Sequence, residues 1–244
     1  VLDDKDRELE RTAVPAGSLF VAFLLTAMIT RSDAYEILYE GLPIGPGVIL
    51  EDRDDQVYVA VYGDHGGGWV DEDTPVAPGS ERAQRRVDAE TRLREAVPEA
   101  VILRAPGIYG PGRLPVDRIL AGEPVLDDIA HAWTNRIHID DLGALVWKAV
   151  NERWAHRLYN ATDGTPTSRT AYSDTLAELL GTDPPPRIDW AEAEQRFSAM
   201  RLSFLSESRR MTNARLLRDT GYRFLFADYR DGLIASLRGE PAIS

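Results

Sequence analysis

The sequence predicts an α/β fold, a mostly parallel sheet with a smaller, mostly helical C-terminal region, and three observations carry that expectation. Val101, Ile102 and Leu103 form a branched apolar run, as a strand buried on both faces of a parallel sheet requires, and the run stops abruptly in a loop rich in Gly and Pro. A second β-branched run at 57–61 precedes it, with a helical segment at 80–96 between them, so the three read as a βαβ unit with a right-handed crossover. From residue 113 onward helical patterns dominate.

Residues 1–56 are the least legible. The segment 3–11 reads as a charged helix or frayed terminus, 18–30 as a buried element of undecided type, and 33–40 as a helix. Three glycines and two prolines make 41–47 a loop. The Gly-rich stretch 62–68 is expected to be a flexible loop. Ser80 caps the helix at 80–96, where Val87 and Leu93 are among the few apolar positions. Pro106 ends the strand that starts at Val101, while Gly107, Gly110 and Gly112 permit positive φ or close approach and Pro111 sets a turn. Such loops, just past the carboxyl ends of strands, are where ligands sit in open α/β sheets.

Further on, 116–121 reads as a short helix, 122–134 as loop and 137–139 as a brief extended piece. Asp140 or Asp141 caps a helix over 142–151, with Leu142, Leu145, Val146 and Ala149 on one face. A strand at 157–161 precedes a helix at 170–180. The prolines at 184–186 are a stiff spacer, 190–200 a helix, 213–220 a helix ended by Gly221, 222–226 extended and 229–237 helical.

At 244 residues the chain is long enough for a substantial core, and it contains no Cys, which excludes disulfides, thiolate metal sites and a Cys nucleophile. A net charge of −12 argues against a nucleic-acid partner. Arg82, Arg85 and Arg86 do cluster; they face an anion or, as the preferred reading, form a solvated face paired with Glu81 and Glu90. The longest apolar run, 19–29, is too short to span a bilayer, and the acidic segment 1–11 lacks the basic start of a secretory signal. A cytoplasmic protein without a membrane partner is expected. With four His, none at ligand spacing to another, no metal is expected.

Five phrases then carry a resemblance: Val-Tyr-Gly-Asp at 61–64, Trp-Val-Asp-Glu at 69–72, Arg-Ala-Pro-Gly-Ile-Tyr-Gly-Pro-Gly-Arg at 104–113, Asn-Arg-Ile-His-Ile-Asp-Asp-Leu at 135–142 and Leu-Tyr-Asn-Ala-Thr-Asp at 158–163. In this order they resemble the extended short-chain dehydrogenase/reductase superfamily, its NAD-dependent epimerase/dehydratase group, and within it an atypical branch similar to the bacterial YeeZ proteins. The segments 210–215 and 229–233 extend the resemblance over roughly three quarters of the chain.

The resemblance implies a Rossmann-type doubly wound sheet holding NAD or NADP, over 1–112 and 135–165, and a substrate-binding region over 113–134 and 166–244. It implies a small polar substrate, a sugar or nucleotide sugar among the options, and a homodimer, since relatives commonly pair through helices. Pro106, Gly107 and Ile108 match the loop that passes the nicotinamide. Arg113 matches an Arg that meets a substrate phosphate, with a surface ion pair equally credible. His138 and Asp141 match a His-x-x-Asp pattern and are expected to fix local structure, His138 also being a substrate-side candidate.

The departures are as informative. The Gly-rich phosphate cradle between first strand and first helix is not recognisable in 1–56. The catalytic Ser or Thr expected before Val61 is absent, as though about three residues of the pattern were missing. The slots for the Tyr and Lys of the proton relay hold Arg82 and Arg86; Arg86 can hold a ribose or phosphate by charge, but a guanidinium does not deprotonate. Tyr109 is then a stand-in proton donor or, the preferred reading, a packed loop aromatic. His65, in the Gly-rich loop, either titrates over the site or is idle. Two functions stay open: an NAD(P)-binding oxidoreductase or epimerase-like enzyme without the usual Tyr and Lys, and a catalytically inactive Rossmann protein that binds a nucleotide or partner.

Overall fold

The computed structural model describes residues 35–39, 42–47, 60–127 and 132–239. The readings at 3–11, 18–30 and 57–59 lie outside them. β1 (Tyr35–Tyr39) and β2 (Leu42–Gly47) pair antiparallel, which corrects both the helix expected at 33–40 and the loop expected at 41–47. Tyr35, Ile37 and Tyr39 favour extended backbone, and a two-stranded ribbon is all edge, where a strand tolerates Pro43 and Pro46.

The expected strand at 57–61 ends instead in a 3₁₀ turn, Ala60–Tyr62. Gly63 reverses the chain there at φ +70, and any Cβ on it would overlap the Ala77 carbonyl oxygen. Then come β3 (Trp69–Val70), α1 (Glu81–Ala96), β4 (Ile102–Arg104), β5 (Gly107–Tyr109), α2 (Val116–Leu120), β6 (Val125–Leu126), β7 (Trp133–Thr134), β8 (Arg136–His138), α3 (Ile139–Asn151) and β9 (Leu158–Asn160). The remainder holds β10 (Thr167–Ser168), α4 (Arg169–Leu180), β11 (Arg187–Ile188), α5 (Trp190–Arg196), α6 (Ala199–Leu205), β12 (Arg210–Met211), α7 (Ala214–Thr220) and α8 (Tyr229–Arg238).

Parallel pairing dominates: β4 with β9, β5 with β8, β3 with β12 and β6 with β11, against one later antiparallel pair, β7 with β10. Pro106 separates β4 from β5, and β5 corrects the expectation of loop directly after Pro106, because Gly107–Tyr109 pair in register with β8. Before Pro106 the chain pairs with β9, after it with β8, and Ala161 N donating to Arg104 O (3.0 Å) and Asp163 N donating to Arg136 O (2.9 Å) join the two pairs. Val101, Leu103, Ile108, Ile137 and Tyr159 pack beneath Leu142, Leu145 and Ala149 of α3, the helix face expected from its spacing.

Several boundaries move for identifiable reasons. His138, not Asp140 or Asp141, caps α3, its Nδ1 accepting from Asp140 N at 3.2 Å. The helix at 190–200 divides because Ser198 caps a new one, accepting from Arg201 N at 3.2 Å. The loop at 122–134 contains β6 and β7, and the segment 222–226 forms no strand. In α1 the spacing turns Ala83, Arg86 and Glu90 inward, so the solvated-face reading fails for Arg86 (3% exposed) and Glu90 (4%) and holds only for Arg85 with Glu81. Glu90 instead receives Arg104 Nε at 2.9 Å and Nη2 at 2.7 Å.

Candidate functional site

A cleft of about 360 Å³, counting the part open to solvent, lies where the chain changes pairing partner at Pro106. Pro106, at the carboxyl end of β4, forms one side. Trp133 in β7, Asn135 between β7 and β8, and Arg169, the first residue of α4, form another. Phe204 from α6 and Glu207 and Arg209 from the segment before β12 close it.

Polar side chains fasten these walls together. Asn135 Nδ2 donates to Arg209 O (3.1 Å) and its Oδ1 accepts from Met211 N (2.7 Å), clamping 209–211 against the sheet. Arg169 donates to the carbonyls of Phe204 (3.0 Å) and Glu207 (3.1 Å). Arg209 Nη1 meets Gly63 O at 2.9 Å and Glu207 Oε2 at 2.7 Å. On the rim, the Arg82 guanidinium stands 3.7 Å over the Phe204 ring, so the helix α1 reaches the cleft through that stack.

The loop at 62–68, expected to be flexible, is stitched to the same segment. His65 N and Gly67 N donate to Ser208 O (3.1 and 2.9 Å), Ser208 N donates to Asp64 Oδ1 (2.9 Å) and Arg210 Nε to Gly67 O (2.6 Å). His65 Nε2 lies 3.0 Å from Tyr62 O. Arg210 also stands between the Trp69 and Trp133 rings, 5.2 and 5.1 Å from their centroids.

A second group of polar residues is sealed on the other side of β5 and β8. Tyr109 is 3% exposed and packs edge-on to His138 and Tyr172; its hydroxyl lies against Gly232 of α8 so closely that a Cβ there would overlap it. Its hydroxyl has no hydrogen-bond partner, and burial, with the Asp163 charge, pushes the phenol far above its ordinary range. His138 is 1% exposed, its Nδ1 used by the cap and its Nε2 3.1 Å from Ser236 Oγ. With Nδ1 accepting, Nε2 carries the proton and donates to Ser236, whose Oγ donates onward to Gly232 O at 2.6 Å. Burial lowers the His138 pKa, against the opposing charge of Asp140. Asp141 accepts from Leu225 N (2.7 Å), Phe226 N (3.0 Å) and Tyr222 Oη (2.8 Å). Asp163, 6% exposed, has its Oδ2 unpartnered, and burial pushes its carboxyl up to about 7.

Of the residues singled out in the sequence, the structure thus brings Pro106 to the cleft wall. Gly107 and Ile108 follow it inside β5, Ile108 packed in the core. Arg86 is buried in α1, Arg113 is half-buried after β5, and His65 is half-buried in its loop. Tyr109 and His138 face α8. Trp133, Arg169, Phe204, Glu207 and Arg209 were missed; Arg209 abuts the motif at 210–215, and Arg169 follows the Ser168 cap, so their neighbourhoods, not their roles, were legible.

No family model matches the chain. Over 128 residues it is 32% identical to Protein YeeZ of Escherichia coli (strain K12), a match covering 52% of this chain and 45% of that protein. A conserved protein of unknown function from Silicibacter pomeroyi DSS is similar at 32% identity and a TM-score of 0.69, over 75% of this chain and 64% of that one. A Methylobacillus flagellatus protein assigned to the NAD-dependent epimerases/dehydratases follows at 29% identity and a TM-score of 0.54, over 75% and 62%. MoeE5, solved in complex with UDP-glucuronic acid and NAD, shares the fold at 22% identity and a TM-score of 0.58, over 74% and 62%. The chain therefore spans 45% of the curated relative and less than two thirds of these solved chains. It has the α/β Rossmann-type fold and resembles the NAD-dependent epimerase/dehydratase group of the short-chain dehydrogenase/reductase proteins.

Proposed function

We propose that this chain is an NAD(P)-binding oxidoreductase or epimerase/dehydratase-like protein that takes a small polar substrate, of the sugar or nucleotide-sugar kind, in the cleft beside Pro106. One observation carries the reading: the cleft opens just beyond the carboxyl end of β4, where the strand changes partner, which is where α/β sheets bind ligands. The NAD and UDP-glucuronic acid bound in MoeE5 support the ligand class.

One end of such a cofactor has candidate partners, although Arg86 is 3% exposed within α1 and Ile108 offers only its backbone. Pro106, with the backbone of Gly107 and Ile108, would take the nicotinamide, and Arg86 a ribose or phosphate by charge; the described residues contain no Gly-rich strand-to-helix cradle for the pyrophosphate. When bound, the nucleotide supplies a two-electron acceptor. Arg113 and His65 remain substrate-side candidates, although neither lines the cleft itself. Tyr109 and His138 serve packing and capping in this reading, because their polar atoms face α8 and not the cleft. A cytoplasmic homodimer completes it, and sedimentation checks the assembly.

The alternative, an inactive nucleotide-binding protein, is favoured by Arg82 and Arg86 standing where the relay's Tyr and Lys are expected. Titration with NADH and NADPH, followed by tryptophan fluorescence, is expected to show binding of one of them, since Trp133 lies on the cleft wall. No response to either at millimolar concentration overturns the nucleotide reading. Binding without turnover of UDP-glucose or UDP-glucuronic acid selects the inactive alternative.

A further inference from the structure

We infer that Glu207 is the proton-exchanging side chain of the cleft, acting on a hydroxyl of the bound substrate. The inference rests on the cleft being the substrate site proposed above, and it follows from what the walls offer. Their ionisable side chains are Arg169, Glu207 and Arg209, and a guanidinium does not exchange its proton near neutrality. Thr134 is committed, its hydroxyl donating to Thr167 O at 2.8 Å.

Nearby phenols and imidazoles are turned elsewhere. Tyr62 is fully buried and donates to Asn160 Oδ1 at 2.7 Å, Tyr109 lies against Gly232, His138 caps α3, and His65 lies against the Tyr62 carbonyl. Among the described residues, the carboxylate of Glu207 remains. Its surroundings hold it firmly, because Arg209 grips Oε2 at 2.7 Å and Arg169 grips the carbonyl of the same residue at 3.1 Å, which fixes both side chain and backbone. The side chain keeps 13% of its surface exposed. Gly79 leaves room beside Oε1, where a Cβ would stand only 3.2 Å away.

In the step, the substrate O–H bond breaks, its proton moves to the Glu207 carboxylate, and the bonding pair stays on the substrate oxygen. The reverse transfer returns it. Two guanidinium groups in the same cleft favour the negative charge that develops on that oxygen.

The test uses the full chain. Carbodiimide with glycine methyl ester, read by peptide mass mapping, is expected to label Glu207 in the free protein and to be slowed about 10-fold or more by UDP-glucose or UDP-glucuronic acid, as expected of a contacting acid–base group. Labelling at exposed Glu81 and Glu178 should not change. Labelling of Glu207 that neither nucleotide sugar alters overturns the proposal, whatever the nicotinamide nucleotide titration shows, so the two failures are separable. In turnover, Glu207→Gln is expected to lower kcat about 100-fold or more with KM little changed and to remove the acidic limb of the pH–rate profile. Glu207→Asp, which keeps the carboxylate, should recover part of the rate. A folded Glu207→Gln protein with wild-type kcat, or a wild type that binds nucleotide yet turns over neither sugar, overturns it.

Discussion

The charges this fold seals and the charges that line the cleft come from different segments of the chain, and they do different work. Arg104 and Glu90, Asp163 and His138 are each at most 6% exposed and are occupied with one another, with caps or with burial itself. Arg169 and Glu207 line the cleft half-buried, and Arg209 lines it at 6% exposed, held by Gly63 O and Glu207. In an extended chain successive side chains point to opposite faces, so Pro106 and Asn135 meet the cleft while Tyr109 and His138, three residues on in each strand, meet α8. Membership of a motif places a residue near a site in sequence and, half of the time, with its back to it.

Perturbing the sealed charges should cost stability, and perturbing the open surface should not. The largest effect is expected at the buried pair: Glu90→Ala leaves Arg104 without its carboxylate and should cost about 3–5 kcal/mol in urea unfolding, whereas a loss below about 1 kcal/mol would mean that Arg104 is solvated. Asp163 should announce itself through pH. Its folded value, about 7, lies above the ordinary 3.8, so the stability it contributes is full below the unfolded value and lost as pH rises through 7.

Asp163→Asn should therefore stabilise the protein at pH 8 relative to wild type, by on the order of 2–4 kcal/mol, and the gain should vanish towards pH 4. A pH-independent effect of this substitution would place the carboxyl in water. His138 acts with the opposite sign: its value is lowered, so its contribution is present above the unfolded value near 6.5 and lost as pH falls.

Next in size, Gly232→Ala drives a methyl into the Tyr109 hydroxyl and should cost about 1–3 kcal/mol. In a double-mutant cycle, Tyr109→Phe should relieve part of that cost, because the hydroxyl it removes has no partner; strict additivity would separate the two residues. Smallest of all, Trp147→Ala, at a side chain 68% exposed on α3, should change unfolding by no more than about 0.5 kcal/mol, in contrast to the sealed positions.

Legibility in the sequence followed physical range. The helix α1 with its Ser80 cap, the buried run that becomes β4, the inward face of α3 and the left-handed stop at Gly221 were decided by neighbours within a few residues and could be read directly. The inward turn of Arg86 and Glu90 was not, because a helix period marks a face without saying which face is buried once its residues are charged. Likewise Glu207 and Arg209 have no local mark; they reach the cleft because Asn135, about 75 residues earlier, clamps their segment to the sheet.

The amino-acid sequence alone therefore settles the α/β class, the strand that Pro106 ends and the family this chain resembles, since each depends on periodicity, backbone permission or motif order. Tertiary structure alone decides which motif side chains face the cleft, which charges are sealed, and that Glu207 stands between two arginines. Those outcomes hang on pairing between segments far apart in the chain, and pairing is a property of the packed molecule that no window of sequence contains.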